Sequence, residues 1–334
     1  MLSAIFSLSG PALTDDERAL FRDADPAGYC LFARNCVDRA QMRALTDDLR
    51  ALSGRDNVPI LIDQEGGRVA RMKPPEWPAF PAGEAFAHLY EKAPISAIEA
   101  ARVNATAIGL MLAEVGVNVD AMPVLDVRQP GAHDVIGDRA LGDEPMKVAA
   151  LGRAVLDGLA AAGVIGIVKH IPGHGRSMAD SHKELPVVDA ADEELETDLA
   201  PFRALKDAPM AMTSHLLYRA WDAERPASIS PTIIAGVIRD RIGFDGLLMT
   251  DDIGMEALRG TPAERARAGI DAGNDLALHC SGELAEMEAI AAALPPLAEI
   301  GLARLERAMV TASKPQAAEL AALLDKRDAL LALA

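Results

Sequence analysis

The sequence predicts an α/β protein built as a single-domain (β/α)8 TIM barrel. Three observations predict it. Eight short, almost continuously apolar runs are spread over the first 280 residues, with helix-forming stretches between them. Near-continuous apolar runs are what parallel strands buried on both faces require. Five consecutive runs, the third to the seventh, end in ionisable residues, and the C-terminal strand ends are where a barrel keeps its chemistry.

The runs lie at 4–9 (AIFSLS), 28–33 (GYCLFA), 58–63 (VPILID) and 117–126 (VNVDAMPVLD). The other four are 164–170 (VIGIVKH), 209–215 (PMAMTSH), 245–251 (DGLLMTD) and 274–280 (NDLALHC). A helix opens after the first run, where Thr14 and Glu17 have the spacing of a capping box. Helical patterns follow at 38–53, 95–115, 144–162, 192–207, 231–241 and 262–272, and a last helical region runs from about 281 to the end. Eight strand–helix pairs in this length fit a closed barrel better than an open doubly wound sheet. No Gly/Ser-rich linker, charge block or 20–50-residue repeat divides the chain. One catalytic domain over 1–334 is expected, with the helices after about 281 packed on it.

Of the 334 residues, 50% are apolar and 25% charged, enough for a large core. The formal net charge of −17 disfavours nucleic acid and anionic membrane surfaces as partners. Cys30, Cys36 and Cys280 are too few for a disulfide framework and form no C-x-x-C pair, as in a reducing compartment. The apolar N-terminus has no Lys or Arg before Arg18, so it lacks the basic region of a signal peptide. No run approaches the ~18 apolar residues of a membrane span. A cytoplasmic, monomeric protein is expected.

The unusual polar residues cluster at the strand ends. Asp63-Gln64-Glu65-Gly66-Gly67-Arg68 follows the third run, and Asp126 ends the fourth, whose loop continues to Arg139. Lys169-His170 ends the fifth and leads into a long loop, IPGHGRSMADSHKELP. Ser214-His215 ends the sixth, and Thr250-Asp251-Asp252 the seventh. Several of these have plainer readings. Asp63 and Asp126 are good N-caps for a following helix. Gly66-Gly67 suits a tight turn. His215 reads equally as a hydrogen-bonded core histidine. Asp251 and Asp252 are adjacent, so on a strand only one aims at the barrel mouth. His170, His174, His182 and His215 have no H-E-x-x-H spacing and no neighbouring Cys, so no metal or other cofactor is expected. The chemistry that remains is a carboxylate acting on an acetal carbon. From the residues alone its acid/base partner is Glu65 or Asp63. A histidine such as His182, oriented by Asp180 two residues earlier, is a further candidate.

Taken together, DQEGGRVAR (63–71), PVLDV (123–127), IGDRALG (136–142), KHIPGHG (169–175), DSH (180–182), MTSH (212–215), SISP (228–231) and MTDDIGM (249–255) form an ordered set. This set resembles the family 3 glycoside hydrolases, in particular the short bacterial β-N-acetylglucosaminidases of cell-wall recycling. The resemblance runs from about residue 4 to 280. It implies a single-domain barrel and a retaining mechanism through a covalent glycosyl-enzyme. It also implies Asp251 as nucleophile and His182 as acid/base with Asp180 as its partner. Asp63, Arg71, Arg139, Lys169 and His170 match the residues that bind the non-reducing sugar. The implied substrate is a small carbohydrate, GlcNAc–1,6-anhydro-N-acetylmuramic acid with or without stem peptide.

This chain departs from the family pattern at two places. Arg176-Ser177 follows Gly175 where the family commonly has Asp or Asn and then Thr, and Thr250 stands where a Ser is common. Two other functions compete. A phosphorylase would use the same residues, because a neutral histidine base does not repel an anionic acceptor. A non-catalytic sugar-binding protein would need neither Asp251 nor the Asp180/His182 pair.

Overall fold

The computed structural model describes residues 1–180, 184–311 and 317–334. The chain runs β1 (Leu2–Ser7), α1 (Asp15–Ala24), β2 (Pro26–Leu31), α2 (Arg39–Ser53), β3 (Ile60–Ile62), α3 (Gly83–Lys92), α4 (Pro94–Glu114) and β4 (Val119–Asp120). It continues with α5 (Pro145–Ala161), β5 (Ile165–Ile171), β6 (Val187–Val188), α6 (Asp192–Ala204), β7 (Met210–Thr213), β8 (Leu217–Tyr218) and a π-helical segment, Ile233–Ile242. It ends with β9 (Leu247–Asp252), α7 (Pro262–Asp271), β10 (Leu276–His279), α8 (Leu284–Ala293), α9 (Glu299–Val310) and α10 (Leu320–Leu331). Eight strands close a parallel barrel in the order β1-β2-β3-β4-β5-β7-β9-β10, and β10 pairs back onto β1 with Phe6 beside His279. This is the (β/α)8 architecture that the eight apolar runs predict, and each run contributes one barrel strand.

Alternation along each strand explains why the runs are apolar throughout. Ile5, Leu61, Val119, Ile167, Met210, Met249 and Leu278 point inward and fill the barrel. Their neighbours Phe6, Ile60, Ile62, Val168, Ala211, Leu248 and Ala277 point outward and are covered by the helices. Two runs pair over less of their length than the sequence suggests, and proline is the reason. The 58–63 run pairs only from Ile60, after Pro59. The 117–126 run pairs over Val119–Asp120 and is interrupted at Pro123, which has no N–H to donate. Contact with β5 resumes beyond it, where Leu125 N–H donates to Lys169 O at 2.7 Å.

Thr14 caps α1 as expected, with Glu17 completing the box. Two features had no clear sequence signal: α3, and a two-stranded sheet of β6 and β8 outside the barrel. One expectation needs correction. The 21 residues of α4 are long and apolar enough, by length and composition, to cross a membrane. They are apolar nearly all round because α4 is mostly buried, packed between α3, α5 and α10.

The α4–α5 contact is close because Gly158 faces the α4 backbone. An added Cβ there would lie 2.3 Å from Arg102 O and 2.8 Å from Ala105 Cβ. Helix propensity alone would make Gly158→Ala stabilising by up to ~1 kcal/mol. Overpacking costs about 1–3 kcal/mol. Gly158→Ala is therefore expected to lower stability by up to about 2 kcal/mol, read as a reduced urea midpoint at unchanged m-value.

Candidate active site

A cavity of about 820 Å³ opens at the C-terminal ends of the barrel strands. Asp63, Arg71, Arg139, Lys169, His170, Asp180 and Asp251 all line it. The structure thus gathers into one cavity the seven described residues to which the family resemblance gives a role, while Glu65, the other acid/base candidate, does not line it. His182 lies outside the described residues.

A buried ionic cluster forms one wall. Lys169, at the end of β5 and 2% exposed, sits 3.0 Å from Asp63 Oδ1 and 2.6 Å from Glu65 Oε1. Arg71 donates to Asp63 Oδ2 at 2.8 Å, and its guanidinium lies over the Phe32 ring at 4.9 Å. Arg139 grips Glu65 with two bonds of 2.8 Å and donates to Val135 O. Burial alone would raise the Asp63 and Glu65 carboxyls. The neighbouring cations outweigh it, holding Glu65 at about 2 and Asp63 well below the usual carboxylate range. Both are ionised at neutral pH. Asp63 shares its two cations but remains open to the cavity, so it suits a sugar hydroxyl donor. Glu65 is occupied by Arg139 and Lys169, which makes it a support rather than an acid. Arg71 Nε is buried with no hydrogen-bond partner among the described residues, a donor left for a ligand.

The floor is built by the next strands. Asp126 Oδ2 accepts from His170 Nδ1 at 2.7 Å, and its Oδ1 accepts the His170 and His174 amides. Burial would raise Asp126, but the two histidines and these donors bring it to about 2. Neither Asp63 nor Asp126 caps a helix; both hold cationic or imidazole groups. His174 is pushed down to about 4 by burial and by His170, so it is neutral. His215 is a buried core histidine with a settled tautomer. Its Nε2 donates to Asp252 O at 3.0 Å, so Nδ1 accepts from Ser228 Oγ at 2.6 Å.

Asp251 ends β9, is 9% exposed, and accepts the Asp252 amide at 2.8 Å. Burial opposes its ionisation, but His170, His215, that amide and Lys169 together keep its carboxyl below the ordinary value. It is a buried anion facing the cavity. Asp252 plays a different part, its Oδ1 accepting the Gly254 and Cys280 amides. Beside the ionic wall, burial pushes Asp120 up to about 8, and its Oδ2 has no partner among the described residues. Burial thus favours its neutral form. Gly66 and Gly67 form the tight turn that returns the chain, Gly66 N–H donating to Val69 O.

Phe32, Ser281 and Glu286 also line the cavity and were not picked out from the sequence. Phe32 could have been, since it stands near the end of the second apolar run, just past β2. Ser281 and Glu286 follow the eighth run, which lies outside the third to seventh, the runs marked by their ionisable ends.

The sequence pattern of the glycosyl hydrolase family 3 N-terminal domain matches residues 4–311. The chain belongs to glycoside hydrolase family 3. A β-hexosaminidase from Aromatoleum aromaticum is 35% identical over 320 residues, 94% of this chain and 88% of that one. One from Methylococcus capsulatus is 39% identical over 285 residues, 83% and 82% of the two chains. NagZ from Neisseria gonorrhoeae, solved in complex with N-trifluoroacetyl-D-glucosamine, superposes with a TM-score of 0.87 at 29% identity, covering 99% of this chain and 97% of that one. The protein is accordingly a family 3 glycoside hydrolase of the β-hexosaminidase type, acting on carbohydrate.

Removing Lys169 from this glycoside hydrolase strips a cation from two buried carboxylates at once. Lys169→Met is expected to cost about 3–5 kcal/mol at pH 7. Both carboxyls have depressed folded values, so their contribution to stability is present above the unfolded values and lost as pH falls through the folded ones. In the variant they protonate at higher pH. The gap between variant and native chain should therefore narrow at pH 4, as read by urea denaturation at both pH values.

Proposed function

We propose that the protein is a retaining exo-β-N-acetylglucosaminidase that releases terminal β-linked GlcNAc from GlcNAc–1,6-anhydro-N-acetylmuramic acid muropeptides in the cytoplasm. The observation that carries this reading is the Asp251 carboxylate. It is buried, held ionised, and aimed into a cavity whose opposite wall is the Asp63–Arg71–Lys169 cluster. A cavity of about 820 Å³ is suited to a small saccharide. Three free thiols and the resemblance to cell-wall-recycling enzymes support the compartment and the substrate.

The proposed reaction has two steps. Asp63, Arg71, Lys169 and His170 hold the hydroxyls of the non-reducing sugar, with Arg139 fixing the Glu65–Lys169 side of the cluster. One Asp251 oxygen attacks the anomeric carbon as the bond to the leaving oxygen breaks. Protonated His182, paired with Asp180, gives its proton to that oxygen. A water then attacks the anomeric carbon of the glycosyl-Asp251 ester. Its proton passes to His182, the ester bond breaks, and Asp251 returns as a carboxylate. Asp251 suits the nucleophile's part because it stays anionic despite burial, and an anion desolvated in this way is stabilised by nearby dipoles rather than water.

Release of nitrophenol from its β-N-acetylglucosaminide and β-glucoside, with and without phosphate, tests the reading. Hydrolysis of the first substrate, insensitive to phosphate, is expected. Asp251→Ala should lower it more than about a thousandfold, roughly 4 kcal/mol of barrier. Unchanged activity in Asp251→Ala would assign the nucleophile elsewhere. Dependence on phosphate would mean that phosphorolysis replaces hydrolysis.

A further inference from the structure

Between β5 and Asp180 several backbone groups of the chain are pinned by neighbouring segments. The Tyr218 hydroxyl donates to Gly173 O. The His174 amide donates to Asp126 at 2.6 Å, the Gln129 amide to Gly175 O at 3.1 Å, and the His133 amide to Ser177 O at 2.8 Å. Ser177 Oγ donates to Ala179 O at 2.6 Å. At Gly175 the contact with the 127–133 loop is so close that a Cβ would lie 1.9 Å from Val127 O.

Arg176 adds an anchor through its side chain. It reaches α6, where Nε donates to Asp198 Oδ2 at 2.6 Å and Nη2 to Glu194 O at 2.8 Å. Asp198 is 1% exposed and packs against Gly173, two residues beyond β5. Burial pushes the Asp198 carboxyl up to about 6 even with Arg176 beside it. Its charge at neutral pH thus depends on that guanidinium. Arg176 is also where this sequence departs from the family pattern, which gives its anchoring role no precedent in the motif.

We propose that Arg176 is a positioning residue for proton transfer. By tying the root of the 172–180 segment to α6, it fixes where Asp180 stands at the cavity. The inference rests on the acid/base role assigned above to His182 and Asp180. It touches neither the sugar nor Asp251, so it should affect the step that needs a proton and leave sugar binding alone.

Leaving groups of different basicity separate these effects. N,N′-diacetylchitobiose expels a sugar alkoxide and needs protonation, whereas 2,4-dinitrophenyl β-N-acetylglucosaminide expels a stable phenolate and does not. Both would be assayed with the native chain, Arg176→Met, Arg176→Lys and His182→Ala. For Arg176→Met, kcat/KM on chitobiose is expected to fall about tenfold to a hundredfold. On the dinitrophenyl substrate it should stay within about threefold of native. Arg176→Lys keeps a cation beside Asp198 and should recover part of the chitobiose rate. If Arg176→Met does not fold, Arg176→Lys and Asp198→Asn make the same comparison with smaller changes. Equal losses on both substrates, or no loss on either, would overturn the proposal. His182→Ala distinguishes the source of a failure. If it shows the leaving-group dependence and the Arg176 variants do not, the positioning role alone is wrong. If it shows none, the acid/base reading falls and the proposal falls with it.

Discussion

Lys169 is the group on which the rest of the site depends. A buried ammonium is tolerated only when its charge is met, and here Asp63 and Glu65 meet it from β3's end. Those carboxylates in turn order Arg71 and Arg139, and Arg139 holds the 135–139 loop through Val135 O. One residue near the end of β5 thereby fixes side chains from two loops, those after β3 and β4. Because each carboxylate already faces a cation, the wall presents oriented donors and acceptors rather than bare charge. A sugar hydroxyl can then replace water at little reorganisation cost.

The architecture was legible in the sequence because a barrel buries both faces of every strand. That turns each strand into an apolar run visible without knowing its partners. The lengths were less legible. Pro59 and Pro123 cut pairing short in a way that apolarity alone does not show. The outer β6–β8 pair has two residues in each strand and no periodicity to detect. α4 itself was legible in the 95–115 pattern, but its burial was not: an apolar surface interrupted by Asn104 and a few charges reads as an ordinary helix until α3, α5 and α10 are seen packed on it.

Within the site, positions were easier to read than roles. Strand ends pointed to Asp63, Asp126, Lys169, His170 and Asp251 because ionisable residues there break an apolar pattern. What each does depends on neighbours distant in sequence. Glu65 looked as good an acid as any until Arg139 and Lys169 were found on it. Asp126 resembled a helix cap until His170 turned out to be its partner. Asp251 and Asp252 were separated by strand alternation; both border the cavity, and the structure divides them by partners: Asp252 accepts the Gly254 and Cys280 amides, and Asp251 the Asp252 amide.

The pairing of β1 with β10 has a consequence for how the molecule acquires its site. Phe6 and His279 are neighbours in space but stand at opposite ends of the barrel sequence. That contact closes a very large loop, which makes it slow to form. The cavity walls come from β3, β5 and β9, so they assume their mutual distances only once the ring is shut. A partly folded intermediate lacking the last strand would leave the Lys169 cluster without the wall that carries Asp251. Affinity for a sugar therefore belongs to the fully assembled ring, and a bound sugar would draw the folding equilibrium toward closure by mass action.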